Sequence, residues 1–88
     1  MSLSSVANPA WETIRGVRFA MLYGSTLVPI LITHAAVDDI EPPIPESGGY
    51  LACFNKHRHT FEQAANAKHQ RGEFEESGVV VVLAGDLR

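Results

Sequence analysis

Residues 50–71, YLACFNKHRHTFEQAANAKHQR, form the stretch that decides the predicted fold. Placing them at intervals of about 100° gathers the apolar side chains into one arc of less than half the circumference. The opposite side carries polar residues, among them Lys56, His59 and Gln63. The stretch therefore predicts one long amphipathic helix, about 33 Å long at the α-helical rise per residue. The apolar arc consists of Tyr50, Leu51, Cys53, Phe54, Phe61, Ala64 and Ala65.

The chain before this helix predicts a short helix and a stiff connector. Thr33 is a good N-cap for a helix over residues 34–40. Residues 42–47 are rich in proline, which excludes both helix and sheet and favours an extended conformation. Ser47 or Gly48 is then expected to cap the long helix.

Two apolar runs further upstream predict a β-hairpin. Residues 17–22 and 27–32 are joined by a short loop with Gly24, which tolerates the positive φ that tight turns need. Pro29 cannot donate to a strand ladder, so the second strand is expected to lie at an edge or to carry a bulge there. Near the C-terminus, residues 79–84 read VVVVLA without alternation. This run predicts a strand covered on both faces, either central in the sheet or at a subunit interface.

The order of these elements, β-β-α(short)-α(long)-β, predicts an α+β fold in which a small antiparallel sheet carries the long amphipathic helix on one face. The length of the chain fits a single domain over residues 1–88. Residues 1–11 are mostly small and polar and predict a flexible segment, which we call the N-terminal arm.

The composition favours a self-associating protein of the cytoplasm. In a chain of 88 residues, 45% are apolar, although a domain of this size buries only about 60–65% of its unfolded surface. We therefore expect a homo-oligomer, most simply a dimer. The single cysteine excludes an intramolecular disulfide, and the sequence shows neither a signal-peptide pattern nor a membrane-spanning run. A net charge of −3 argues against a duplex-DNA binder.

Arg58 is the residue that most invites a functional interpretation. By helical angle it lies inside the apolar arc, where a guanidinium must be paired or must reach solvent. It could form a structural ion pair, with Glu62 or the acidic residues 38–39 as its partner. Alternatively it could bind an anion in a cleft. We take Arg58, with its neighbours Lys56 and His57, as the candidate ligand-binding residues.

No pattern in the chain predicts catalysis, a metal or a cofactor. Cys53 and His57 are one helical turn apart, but no third group that would orient such a pair is evident, so Cys53 is interpreted as core filler. His57 and His59 point in directions about 200° apart on a helix and cannot chelate one ion together. We therefore predict a protein that is not an enzyme and needs no cofactor.

Charge provides an alternative function. The long helix carries a net charge of +3, which comes from Lys56, Arg58, Lys68 and Arg71 together with Glu62. The rest of the chain therefore carries −6. The basic face of the helix could contact nucleic acid or another anion. The leading prediction remains a small, non-enzymatic interaction or structural module that self-associates. Nucleic-acid or anion binding through the basic face is the alternative.

The pattern of elements also resembles a family of small bacterial proteins, domain of unknown function 1488. The residues that carry the resemblance are Asn8-Pro9, Gly16-Val17-Arg18-Phe19, the short helix 32–40, residues 54–58 with Phe61, Ala64, Ala65 and Gly72 behind them, and Asp86-Leu87. The chain departs from the family at Ala20, where an aromatic residue is frequent, and in the insert 42–45. The resemblance implies a compact α+β domain and no activity.

Overall fold

In the computed structural model, which describes residues 3–6, 9–40 and 49–87, helices pack on one face of a mixed sheet. The strands are β1 (Ser4–Ser5), β2 (Trp11–Glu12), β3 (Gly16–Tyr23), β4 (Thr26–Thr33) and β5 (Val80–Val82). The helices are α1 (His34–Ile40), α2 (Gly49–Lys56) and α3 (Arg58–Gln70), and a 3-10 helix (Ala84–Leu87) follows β5. The predicted α+β class is confirmed.

The predicted hairpin forms the centre of the sheet. β3 and β4 pair antiparallel over their whole length, from Gly16 opposite Thr33 to Tyr23 opposite Thr26. Gly24 opens the two-residue turn between them with a φ of 63°. Alternate residues point to the helices, as period-two strands require. These inward, buried residues are Val17, Phe19, Met21, Val28, Ile30 and Ile32.

β5 corrects one prediction made from the valine run. After β4 the chain passes through the described helices α1, α2 and α3 and returns in the same direction, so β5 pairs parallel with β4, as crossover connections require. The sheet is therefore antiparallel except at β5. The prediction of a central strand covered on both faces is wrong, because β5 is a three-residue edge strand of the described sheet. Val80 and Val82 are buried, whereas Val81 is half-buried and Leu83 is exposed.

Pro29 fits its place because β4 is locally an edge there. β5 pairs only with Ile30 to Ile32, so Pro29 lies beyond the paired length of β5. The predicted short helix is confirmed at residues 34–40. Its N-cap is also confirmed, since the Thr33 hydroxyl accepts the N–H of Ala36 at 3.2 Å.

The long helix is divided at His57, whose φ of −112° and ψ of 21° are not helical. Neither glycine nor proline stands at the junction, and no side chain caps α3. Local sequence therefore gives no signal for the break. Each half buries a phenylalanine completely, Phe54 on α2 and Phe61 on α3, with ring centroids 5.6 Å apart. Phe54 also lies 4.8 Å from the ring of Phe19, which joins both helices to the sheet.

The N-terminal arm contributes to the sheet in its described part. Ser4 and Ser5 of β1 pair with the end of β3, and Trp11 and Glu12 of β2 pair with its beginning. Leu3 is buried in the core. Flexibility of residues 1–11 stays a prediction, although the described part of the arm pairs with β3 and packs against the core. The predicted connector at residues 42–47 and the cap at 47–48 lie outside the described residues.

Candidate interaction surface

Arg58, the first residue of α3, directs its guanidinium onto the N-terminal arm. Its Nε donates to Oε2 of Glu62 at 3.2 Å, and its Nη2 donates to the carbonyl of Val6 at 3.2 Å. The guanidinium carbon lies 5.4 Å from the ring centroid of Phe19 and 5.7 Å from that of Phe54, within cation–π range. Of the partners considered for the ion pair, the structure shows Glu62. Anion binding by Arg58 stays a prediction.

Two further residues of α3 continue this contact with the arm. The Ser5 hydroxyl donates to Oε2 of Glu62 at 2.7 Å, and the Leu3 N–H donates to Oδ1 of Asn66 at 2.8 Å. Residues four apart lie on one side of a helix, so Arg58, Glu62 and Asn66 form a row, which we call the arm seat. Two of the three groups it binds are backbone atoms. The arm seat therefore recognises a strand largely independently of side chains.

The other two candidate residues lie in different environments. Lys56 is exposed in the last turn of α2, where a cation interacts favourably with the helix dipole. His57 is half-buried at the junction between α2 and α3. Of the predicted trio, Arg58 is the member that belongs to the arm seat.

Lys68, in the last turn of α3, is buried, with 8% of its surface exposed. Its Nζ donates to the carbonyl of Val81 and to Oδ2 of Asp86, both at 2.8 Å. The same carboxylate accepts the N–H of Leu83 at 2.8 Å. Burial acts to raise the pKa of Asp86, but the bonds from Lys68 and Leu83 and the nearby positive charges outweigh it and hold that pKa below its usual value.

This ion pair also blocks the free edge of β5. Lys68 donates to the carbonyl of Val81 at that edge, and Asp86 accepts the N–H of Leu83. The N–H of Glu75 donates to the carbonyl of Val79 at 2.9 Å. Unpaired backbone groups at a sheet edge invite another strand. We call this capped region the closed edge, because three of its backbone groups, the carbonyls of Val79 and Val81 and the N–H of Leu83, are bonded within the chain.

Sequence reasoning missed Lys68, although a signal was present. Lys68 comes seven residues after Phe61 and three after Ala65, which places it within the apolar arc of the helix. A lysine in that position needs a buried acidic partner. Asp86 was noticed only as part of the family resemblance, so nothing in the sequence connected the two.

Two histidines, His34 and His69, pack against aromatic rings. His69 lies between Tyr23 and Phe74, with centroid distances of 4.8 and 5.5 Å. His34 packs against Tyr50 at 4.3 Å. Within residues 3–6, 9–40 and 49–87, no three histidine, cysteine or acidic residues are grouped as metal ligands.

Tyr50 is also hydrogen-bonded, because its hydroxyl donates to Oδ2 of Asp38 at 3.3 Å. Partial burial raises the pKa of Tyr50, and the carboxylates of Asp38 and Glu12 raise it further. Cys53 belongs to the hydrophobic core, in agreement with its interpretation as core filler.

The side of the sheet opposite the helices carries mostly apolar residues. The buried residues of the described helices cluster with the inner face. Strand alternation assigns the other residues to what we call the outer sheet face: Ser4, Trp11, Gly16, Arg18, Ala20, Leu22, Leu27, Pro29, Leu31, Thr33 and Val81. Leu27 is 56% exposed and Trp11 51% exposed, whereas Leu31, between Arg18 and Val81, is buried.

An open cleft of about 500 Å³ lies between the end of α3 and β5. Arg15 and Lys68 line it, and both are in ion pairs, with Glu75 at 3.5 Å and with Asp86. The cleft therefore presents charges that are already balanced.

The model of one protein family matches residues 9–82, and its description is "Protein of unknown function (DUF1488)". The chain belongs to this family. The match covers the hairpin, the helices and β5 of this DUF1488 protein. Asn8 and Asp86-Leu87, which also supported the resemblance, lie outside the matched residues. A search of the curated proteins found no match, and a search of the solved structures found none. None of the described helices is long and apolar enough to cross a membrane.

Proposed function

We propose that this DUF1488 protein is a small, non-enzymatic interaction module that forms a homodimer through its outer sheet face. The observation that carries the proposal is the composition of that face. A solvated face of an antiparallel sheet normally carries polar residues. Here seven of its eleven residues are apolar, Arg18 is the one charged residue among them, and Leu27 and Trp11 are largely exposed.

A second copy is the partner that this face fits best. Exposed apolar patches mark interaction surfaces, and a twofold dimer buries the same patch on both subunits. A mostly apolar face can meet its own copy through apolar contacts, with Arg18 as its one charged residue. At the closed edge three backbone groups are already bonded, which favours face-to-face packing over edge pairing with β5.

The size of the face predicts a weak, reversible dimer. Eight-residue strands span about 26 Å, and three strands side by side span about 14 Å, which gives roughly 400 Å² on each copy. Two copies would bury about 800 Å² in total, below the range of stable complexes and within that of transient ones. We propose a cytoplasmic location as well, since a chain with a single cysteine cannot form an internal disulfide, which suits a reducing compartment.

Sedimentation equilibrium tests the proposal. We expect concentration-dependent dimerisation of the wild-type protein with a Kd of about 10–100 µM. Leu27→Arg should abolish it, because a charge would be buried at the interface. Gln63→Arg, an equally charged change at an exposed position of α3, is the matched control and should leave it unchanged. A wild-type protein that stays monomeric at about 0.5 mM would contradict the proposal.

The alternative, nucleic-acid or anion binding by the helix, receives less support. Arg58 and Lys68 are engaged in ion pairs of low exposure, and Arg71 pairs with Glu73. The four cations that gave the long helix its charge therefore do not form a continuous basic face. Filter binding of RNA and DNA at two salt concentrations would revive the alternative if a salt-dependent affinity appeared.

A further inference from the structure

We propose that the N-terminal arm is exchanged between two copies of the chain. In the exchanged dimer, the arm of one copy pairs with β3 and binds the arm seat of the other. The exchange rests on the self-association proposed above and names the segment that each partner donates. Its evidence is separate, and lies in the arm contacts and in the turn that joins the arm to β3.

The contacts of the arm do not depend on which chain supplies it. Arg58 binds the carbonyl of Val6, Asn66 binds the N–H of Leu3, and Glu62 accepts the hydroxyl of Ser5. The arm also pairs with β3 at two positions at each end and buries Leu3 in the core. A second copy carries the same arm, so every one of these contacts can form between chains. Exchange of identical segments is a low-cost route to dimers.

The turn between β2 and β3 is held by the Thr13 hydroxyl, which donates to the carbonyl of Gly16 and accepts the N–H groups of Arg15 and Gly16, but it is not of a type that matches strand twist. Thr13 and Gly16 exchange backbone hydrogen bonds, which leaves Ile14 and Arg15 as a two-residue tip. The turn types that match strand twist need positive φ at the first tip residue. Neither tip residue has a positive φ, and Ile14 is 96% exposed.

The next hairpin provides the contrast within the same molecule. Between β3 and β4 the first tip residue is Gly24, whose φ of 63° matches a type II′ turn. That turn holds β3 and β4 together within one chain. The turn before β3 lacks this feature, so opening it gives up the hydrogen bonds of Thr13 but no favoured turn geometry, and the straight connection can then pass the arm to a neighbour. An extended connection would also bring Ile14 of each copy near the crossing point.

Trp11 connects the exchange to the outer sheet face. It lies on the arm and pairs with Arg18, so its side chain belongs to that face. After exchange, each outer sheet face would contain the tryptophan of the other copy. The face alone offers only a small interface, and the exchanged arm adds its strand pairing and its contacts with the arm seat to the dimer.

Disulfide trapping between two single-cysteine chains tests the exchange. Ser4 and Leu22 are register partners, and antiparallel partners lie within disulfide distance. In a Cys53→Ala background, chains with Ser4→Cys and chains with Leu22→Cys are unfolded together, refolded and oxidised. We expect a covalent heterodimer in high yield. The matched control replaces Leu22→Cys by Ser77→Cys, exposed in the loop before β5, and should give at least about tenfold less.

Two further variants make the result decisive. Ser4→Cys with Leu22→Cys in one chain must form a disulfide, which shows that the pair is competent. Ile14→Asn with Arg15→Gly installs a type I′ turn and should lower the heterodimer yield, whereas deletion of Ile14 and Arg15 should raise it. A heterodimer yield equal to the control would overturn the exchange. A dimer by sedimentation without the cross-link would leave only the sheet-face dimer, and a monomer would remove both proposals.

Discussion

At the β5 edge of the sheet, the outward backbone groups are bonded by a buried lysine and its carboxylate partner, whereas at the β3 edge they are covered by two-residue strands from the N-terminal arm. Lys68 is almost fully buried, but Ser4 and Ser5 are exposed. The cap at β5 combines Lys68 of α3 with Asp86 of the 3-10 helix, and its lysine is buried. The cover at β3 consists of two-residue strands of the N-terminal arm, which are held by α3. One edge is therefore capped by a buried ion pair, and the other is covered by short strands.

Gly16→Ala should give the largest effect, at the point where the arm enters β3. Gly16 has a φ of 152°, and a Cβ there would lie 2.0 Å from the carbonyl oxygen of Ile32. We expect a loss of about 3–5 kcal/mol in the free energy of unfolding, because backbone must move in the central hairpin. Gly85→Ala, beside the closed edge, meets no atom within 4 Å and serves as the control. Urea unfolding that gives equal values for both variants would contradict the packing at Gly16.

Lys68→Met should give the next largest effect and tests whether the closed edge is structural. Methionine keeps the aliphatic volume but removes the ammonium group, which is the ion-pair partner of Asp86 and the donor to the carbonyl of Val81. We expect a loss of about 2–4 kcal/mol in unfolding free energy, since breaking a buried pair strands the other charge. Lys56→Met removes an exposed lysine and should cost less than about 0.5 kcal/mol. Similar urea midpoints for the two variants would contradict a structural role for the pair.

Arg58→Met should have a smaller effect on stability and a local effect on the arm. It removes the bonds to Val6 and Glu62 from a side chain that is 23% exposed. We expect a loss of about 1–2 kcal/mol, with faster hydrogen exchange at residues 4–6. Arg71→Met, at an exposed ion pair, should change neither. Exchange at residues 4–6 that stays at the wild-type rate would show that the arm seat does not hold the arm.

The parts of the fold that local signals encode could be predicted from the sequence. Alternation and the turn glycine defined β3 and β4 to within one residue at each end, and Thr33 marked the start of α1. The break at His57 and the edge position of β5 could not be predicted. They follow from how separate elements pack, and neither glycine, proline nor a cap marks them in the chain.

The candidate site shows the same division. Helical angle alone identified Arg58 as a residue in need of a partner, and Glu62 was among the partners considered. The hydrogen bond from Arg58 to the carbonyl of Val6 could not be predicted, because a backbone carbonyl has no signature in the sequence. Lys68 satisfied the same angular criterion, but its partner Asp86 is 18 residues away and joins it only in the folded chain.

Acidification should give the smallest effect on the free energy of unfolding, and it tests the closed edge through the charge of Asp86. The pKa of Asp86 is lowered in the folded state, so its stabilising contribution is complete above the unfolded pKa of about 3.9 and is lost as pH falls through the folded value. The difference in unfolding free energy between the wild type and Asp86→Asn should therefore be largest near neutral pH and shrink below about pH 4. Thermal or urea unfolding at several pH values measures it. A difference that stays constant from pH 7 to 3 would mean that the closed edge depends on the shape of Asp86 and not on its charge, since asparagine can still accept one hydrogen bond at that place.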